Sequence, residues 1–247
     1  MLAPDSPERP AATVAPGRLS QAFRRLLMRP ALVIANEQLA GGFRLITLEG
    51  PALAHVGWTP GQKVQVAMGA GFATRTYTPI EWNESVGRTC LLGYAHSEGP
   101  GSAWVRGAEP GDACDLFGPR GSLDASRLPG PLALFGDETA IGLAYALSRQ
   151  ERAVTSHFEI GDADAACLVA EQLGLGRVAL YPRRAGETHL PAMEATLPAL
   201  IAAGASFVLA GKAGTVQRVR QSLKALGLPG SRVITKAYWA PGKTGLD

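Results

Sequence analysis

The sequence predicts a small antiparallel β-barrel followed by an α/β domain built on a parallel sheet. Two observations predict it. Up to about residue 124, short and partly alternating apolar runs are separated by turns bearing Gly and Pro, as in compact antiparallel barrels. Beyond Leu128-Pro129-Gly130-Pro131 the pattern changes to short buried runs alternating with helical stretches. That alternation implies right-handed crossovers and a parallel sheet covered on both faces.

In chain order, residues 1–17 hold Pro4, Pro7, Pro10 and Pro16 among Ala and Ser, and read as a disordered tail. Residues 18–29 place Leu19, Phe23, Leu26 and Leu27 on one face of a basic helix that Pro30 stops. Such a piece suits either a membrane surface or packing against the first domain. The barrel is expected over residues 30–128, with six strands at 32–36, 43–49, 63–68, 74–78, 89–95 and 113–117. Gly41-Gly42, Pro60-Gly61, Gly69 to Gly71, Asn83 to Gly87 and Pro110-Gly111 mark its turns. The α/β domain is expected over residues 129–247, with strands at 132–135, 154–160, 177–181, 207–210 and 232–236. Its helices are expected at 139–150, 165–173, 190–203 and 215–226.

Composition narrows the function classes. Hydrophobic residues make up 46% of 247, enough for a substantial core. No run of about 18 apolar residues is present, so no membrane span is expected, and the first residues lack a secretory h-region. A monomer in the cytoplasm is expected. Cys90, Cys114 and Cys167 lie far apart, which excludes a cysteine-ligated iron–sulfur cluster and argues against a disulfide framework. His55, His96, His157 and His189 show no ligand spacing, so no metal site is expected. The net charge of +3 suits a mixed surface or an anionic substrate, and no basic run interleaved with aromatics points to nucleic acid.

The barrel's fourth strand carries Arg75-Thr76-Tyr77-Thr78-Pro79. Residues two apart share a strand face, so Arg75 and Tyr77 point together. A guanidinium can clamp a diphosphate and a ring beside it can lie on a flat heterocycle, while Thr78 can address the ring edge. Flavin adenine dinucleotide is a ligand of that kind; the plainer reading is a surface strand with an ordinary Arg and Tyr. Gly99-Pro100-Gly101-Ser102 leads into a helix with Trp104, and its amides either meet the same diphosphate or only make a tight connection. In the α/β domain, Gly136-Asp137-Glu138-Thr139 and the turn at Gly211 end two strands, where ligands of parallel sheets bind. Asp137 or Thr139 can equally cap a helix. Arg183-Arg184 follows the third strand, where it either meets a 2′-phosphate or forms a solvated turn.

Taken in order, Arg75-x-Tyr77-Thr78, Gly99-Pro100-x-Ser102, Pro110-Gly111-Asp112, Gly118-Pro119-Arg120-Gly121, Gly136 to Thr139 and Tyr238-Trp239 resemble the siderophore-interacting proteins. These form a branch of the ferredoxin–NADP reductase superfamily, and the resemblance covers roughly residues 30–243. It implies an FAD-binding barrel and a nucleotide-binding α/β domain. The activity implied is an NADPH- or NADH-dependent flavoprotein reductase acting on a ferric siderophore. The flavin then carries the chemistry and no catalytic side chain is required.

Under the resemblance, Arg75 binds the FAD diphosphate, Tyr77 stacks on the flavin and Thr78 lies near its reactive edge. Thr76, Gly99, Gly101, Ser102 and Trp104 complete that side, with His96 as an adenine- or diphosphate-side contact. Gly136, Asp137, Glu138, Thr139 and Gly211 line the nicotinamide side. Lys63, Arg120, Lys236 and Lys243 are the candidate basic contacts for an anionic ferric siderophore, with Trp239 as a packing surface. Ile80 departs from an arginine common after the RxYTP motif, Ile141-Gly142 from a proline after the GDETA turn, and Ala240 from an arginine after the terminal YW. All three departures touch the substrate side. A flavin reductase serving a protein partner, or a non-catalytic siderophore-binding protein, are the alternatives.

Overall fold

In the computed structural model, residues 28–67, 74–96 and 98–243 are described. The predicted tail, residues 18–27 of the predicted basic helix, Met68 and the turn at Gly69 to Gly71 lie outside them, whereas Met28 and Arg29, expected to end that helix before Pro30, open the first strand and pair with Phe117 and Leu116.

The first half forms a seven-stranded antiparallel sheet, one strand more than predicted, curled into an open barrel. Its strands are β1 (Met28–Ala40), β2 (Phe43–Glu49), β3 (Lys63–Ala67), β4 (Thr74–Tyr77), β5 (Pro79–Asn83), β6 (Arg88–Tyr94) and β7 (Ala113–Arg120), in the order β4-β3-β7-β1-β2-β6-β5. The additional strand is β5. Pro79 opens it at the sheet's edge, where no ladder N–H is needed, and so a residue that reads as a strand's end also begins one. The two edge strands β4 and β5 are consecutive in the chain, joined through Thr78. Val33, Ile46, Leu48, Val64, Val66, Leu91 and Leu116 fill the barrel. One helix, α1 (Pro100–Gly107), packs across its end through Val105.

The second half is a parallel sheet of β8 (Leu132–Asp137), β9 (Val154–Ile160), β10 (Val178–Pro182), β11 (Ser206–Lys212) and β12 (Val233–Trp239), in the order β10-β9-β8-β11-β12. Helices α2 (Ile141–Ser148) and α3 (Ala163–Gln172) cover the barrel-facing side, where Phe43 of β2 joins Leu134, Ile141, Leu143, Phe158 and Val208 in one apolar cluster. Helices α4 (Leu190–Glu194), α5 (Leu197–Ala202) and α6 (Ala213–Ala225) cover the other side with Phe135, Met193, Phe207 and Leu223. The predicted helix at 190–203 is thus two helices. Pro198 lacks the N–H that would continue α4 into α5, and the Thr196 hydroxyl donates instead to Met193 O at 2.8 Å. Strand β12 runs to Trp239, past the predicted end at 236, because Ala237 and Trp239 still pair with Gly211 and Lys212.

The chain winds outward from β8 to β10 and then crosses back to β11, so the winding direction reverses between β8 and β11. A crevice for ligands opens at the carboxyl ends of strands at such a point. Gly136 to Thr139 and Gly211 stand there. Between β7 and β8 the segment 121–131 is held by Arg152, whose guanidinium donates to Ala125 O at 2.9 Å, to Gly130 O at 2.7 Å and to Leu128 O.

Candidate functional site

On β4, Tyr77 lies opposite Val64 and Arg75 opposite Val66, so both side chains take the same face. That face meets the start of α1. The Tyr77 hydroxyl donates to Gly101 O at 3.4 Å, and its ring lies 5.4 Å from that of Trp104. Arg75 is half-buried and one of its terminal nitrogens donates to Thr74 O at 2.8 Å. A Cβ at Gly101 would stand 3.2 Å from Arg75 Cγ and 3.5 Å from the Tyr77 hydroxyl. The missing side chain lets the first turn of α1 approach the arginine closely. Gly99 precedes the helix, Pro100 occupies its first turn, and Ser102 is buried in it. Burial pushes the Tyr77 phenol well above its ordinary value, against the pull of Arg75, so it remains a hydrogen-bond donor. Thr76 lies on the opposite face of β4, across from Gln65.

The strand end at Thr78 touches the second half directly. Thr78 Oγ1 lies 3.2 Å from the Tyr238 hydroxyl, whose pKa burial pushes up to about 12. His96 is exposed and its ring stands between Tyr94, stacked at 5.5 Å, and Trp239 at 5.8 Å. It therefore belongs to the Trp239 end of the site.

The switch-point crevice is lined by buried carboxylates. Asp137 caps the turn after β8 by accepting from Thr139 N at 2.9 Å and Thr139 Oγ1 at 2.5 Å. Its other oxygen accepts from Lys212 N at 2.7 Å and Trp239 Nε1 at 2.8 Å. Burial pushes this carboxyl up from its ordinary value, while four donors favour the ionised form. Gly211 has φ +103°, and a Cβ there would fall 2.6 Å from Asp137 Oδ2, so glycine satisfies both the backbone and the carboxylate. Glu138 takes two parallel bonds from Arg183, at 2.8 and 2.6 Å, and a third from Gly161 N at 2.6 Å. Behind it, Glu159 accepts from Thr215 Oγ1 at 2.5 Å and faces His189 Nε2 at 3.1 Å. His189 Nδ1 accepts from Arg184 N at 3.2 Å, which leaves the ring hydrogen on Nε2, directed at Glu159. Arg183 is thus engaged inside the fold, whereas Arg184 is exposed beside it.

Of the basic residues, Lys63 and Arg120 are opposite one another on β3 and β7. Arg120 donates to Gln65 Oε1 at 2.7 Å and its guanidinium lies 4.2 Å from the centre of the Phe117 ring. Lys236 lies opposite Ala210 on β12, two residues before Tyr238, the residue at the strand's bulge that reaches Thr78. Lys243 is exposed beyond the strand, in the turn at 240–243. Lys63 and Arg120 are brought together by strand register, and among the described residues no hydrogen bond or strand pairing joins Lys236 or Lys243 to them.

Sequence reasoning passed over Tyr94, Glu159, His189 and Thr215. An acid inside the apolar run 154–160 is a signal that was available, since a fully buried Glu requires partners. The partners themselves come from β10, α6 and the turn before α4, and no local pattern names them. Among the described residues no group of three or more His, Cys, Asp or Glu could hold a metal ion, and no helix is long and apolar enough to cross a membrane.

Residues 65–123 match the family model of the siderophore-interacting FAD-binding domain. No curated protein matches the sequence. A siderophore utilization protein from T. fusca shares the fold at TM-score 0.69 and 22% identity, over 89% of this chain and 95% of its own. Phthalate dioxygenase reductase does so at TM-score 0.74 and 16% identity, over 89% and 71%. A ferredoxin NADP+ reductase from Neisseria gonorrhoeae, solved with bound FAD and NADP, does so at TM-score 0.69 and 15% identity, over 86% and 99%. The sequence likeness to a siderophore-interacting FAD-binding domain is confined to residues 65–123, and the chain as a whole shares the ferredoxin reductase-like fold.

Proposed function

We propose that this chain is an FAD-dependent NAD(P)H oxidoreductase that reduces the ferric iron of a siderophore. The matched domain and the shared fold support an FAD-dependent oxidoreductase or electron-transfer protein. The observation that carries the finer reading is that the match to a siderophore-interacting domain contains the cradle of Arg75, Tyr77 and Gly101.

The residues fit the cofactor. Arg75 and the first turn of α1 converge where Gly101 has no Cβ, which suits a diphosphate, and Tyr77 offers a ring on the same face. Thr76, Ser102, Gly99 and Trp104 shape this end, and Thr78 with Tyr238 meets the ring's edge. When bound, the flavin accepts hydride from reduced nicotinamide and passes electrons on singly. Gly136 to Thr139 and Gly211 receive the nicotinamide at the switch point, and His96 and Trp239 close that end. Asp137 and Glu138 have their oxygens turned to internal donors, which keeps their charge from the coenzyme's phosphates. Arg184 remains available to a 2′-phosphate, so NADPH is the favoured coenzyme. Lys63, Arg120, Lys236 and Lys243 hold an anionic ferric chelate by charge, with Trp239 beside it. The iron arrives with its coordination filled and needs no protein ligand.

A second reading, an electron donor to a protein partner, is favoured by the likeness to phthalate dioxygenase reductase, described as transferring electrons from pyridine nucleotides to [2Fe-2S]. Anaerobic reduction with NADPH followed by a ferric chelate separates the two. Rapid reoxidation, slowed by Lys63→Glu/Lys236→Glu at unchanged flavin content, is expected. Reoxidation no faster in wild type than in that variant overturns the siderophore reading and leaves the second.

A further inference from the structure

The turn after β10 carries Arg184 and is held more firmly than an ordinary exposed loop. It closes through a bond from Glu187 N to Arg184 O at 3.0 Å. Gly186 at φ +66° and Glu187 at φ +58° are both left-handed. Glycine takes that conformation freely, but a glutamate does not, so the turn's shape needs support from outside it. Two contacts supply it. On the exposed side Glu187 Oε1 accepts from Lys212 Nζ at 2.6 Å. On the inner side the Arg184 amide donates to His189 Nδ1 at 3.2 Å.

The inner contact leads into the core. His189 is buried, and its Nε2 lies 3.1 Å from Glu159 Oε2. Glu159 is fully buried on β9 and also accepts from Thr215 Oγ1 of α6 at 2.5 Å, while Arg183 Nε stands 3.6 Å from the oxygen that faces His189. With the ring hydrogen on Nε2 and turned to this carboxylate, Nδ1 keeps a lone pair for the Arg184 amide. A buried charge thereby fixes the tautomer of a ring, and the ring fixes the main chain of an exposed arginine.

We propose that His189 is a positioning residue for coenzyme selection. Through Nδ1 it holds the main chain at Arg184, and so the place from which that guanidinium meets the 2′-phosphate of NADPH. Being buried, it acts through Arg184 and not on the coenzyme. The inference rests on the reading of Arg184 given above.

Two substitutions separate the two ring nitrogens. His189→Asn places a carbonyl oxygen near the position of Nδ1 and keeps an acceptor for the Arg184 amide; His189→Gln places an amide nitrogen near that of Nε2 and keeps the donor to Glu159. A merely structural ring would make the two variants alike. Hydrogen exchange of the Arg184 amide, read by NMR on the full chain without coenzyme, is expected in wild type to be at least about tenfold slower than in an unfolded chain. It should quicken about five- to tenfold in His189→Gln, the loss of roughly one hydrogen bond, and stay near wild type in His189→Asn. The ratio of kcat/KM for NADPH over NADH should fall about three- to tenfold in His189→Gln, through KM for NADPH and toward the ratio of Arg184→Ala, and hold in His189→Asn. A ratio unmoved by Arg184→Ala overturns the reading of Arg184 and the coenzyme role with it. A ratio lowered by Arg184→Ala but not by His189→Gln, or equal effects of the two His189 substitutions, overturns the inference alone. An unprotected Arg184 amide in wild type overturns it without any substitution.

Discussion

Replacing Arg183 by Met tests the assignment of that guanidinium to the fold. The Glu138 side chain is 2% exposed and receives two of its three short bonds from Arg183, so the substitution leaves a buried carboxylate with Gly161 N and, at 3.5 Å, the Tyr94 hydroxyl. Breaking a buried pair by removing one partner typically costs about 3–5 kcal/mol. Arg183 itself is 29% exposed, so water reaches its place and the lower end, about 3 kcal/mol, is expected. In Arg183→Met/Glu138→Gln the Glu138 charge is removed and only the longer contact of Arg183 Nε with Glu159 Oε2, at 3.6 Å, is lost from a buried carboxylate, so the cost should fall below that of the single variant. Urea unfolding at pH 7 and pH 5 measures both. A stranded carboxylate has its pKa raised in the folded state, so the penalty is present above that pKa and shrinks as pH falls. The single variant should therefore recover toward wild type at pH 5 while the double variant does not change in the same way. A single-variant cost below about 1 kcal/mol, or a double variant as unstable as the single, would refute the reasoning.

Burial lowers the pKa of His157 to about 4 from 6.5, with the ring stacked 4.5 Å from Phe135. Its contribution to stability is therefore complete above about pH 6.5 and is lost as pH falls toward 4, a total of about 3 kcal/mol; urea midpoints of wild type and His157→Phe across that range should diverge accordingly. Gly211→Ala should cost roughly 1–3 kcal/mol through strain at positive φ and the clash with Asp137, read by thermal melting and by a change in tryptophan emission as Trp239 loses Asp137. Gly101→Val should leave the melting temperature near wild type and sharply reduce FAD retention, because the added atoms fall between α1 and Arg75.

Fold class was legible because period-two runs and strand–helix alternation are local properties of the chain. Strand β5 was hidden by Pro79, which can open an edge strand as readily as it ends one. The cap at Asp137 could be read from Thr139 two residues on, but its bonds to Lys212 N and Trp239 Nε1 span 75 and 102 residues. Arg183-Arg184 illustrates the same limit. Adjacent arginines look equivalent in sequence, and only the arrival of Glu138 from another strand end separates the paired, half-buried guanidinium from the exposed one. The cradle was legible for the opposite reason: Arg75 and Tyr77 share a face by strand geometry alone, whatever packs above them.

The most direct test of the account is FAD binding by the purified chain, followed by flavin fluorescence in wild type and Arg75→Ala. The account predicts stoichiometric, non-covalent FAD in wild type and an affinity lowered by roughly 2–5 kcal/mol when the diphosphate loses its charged partner. Failure of the wild-type chain to bind FAD, or equal affinity in the two proteins, would contradict it.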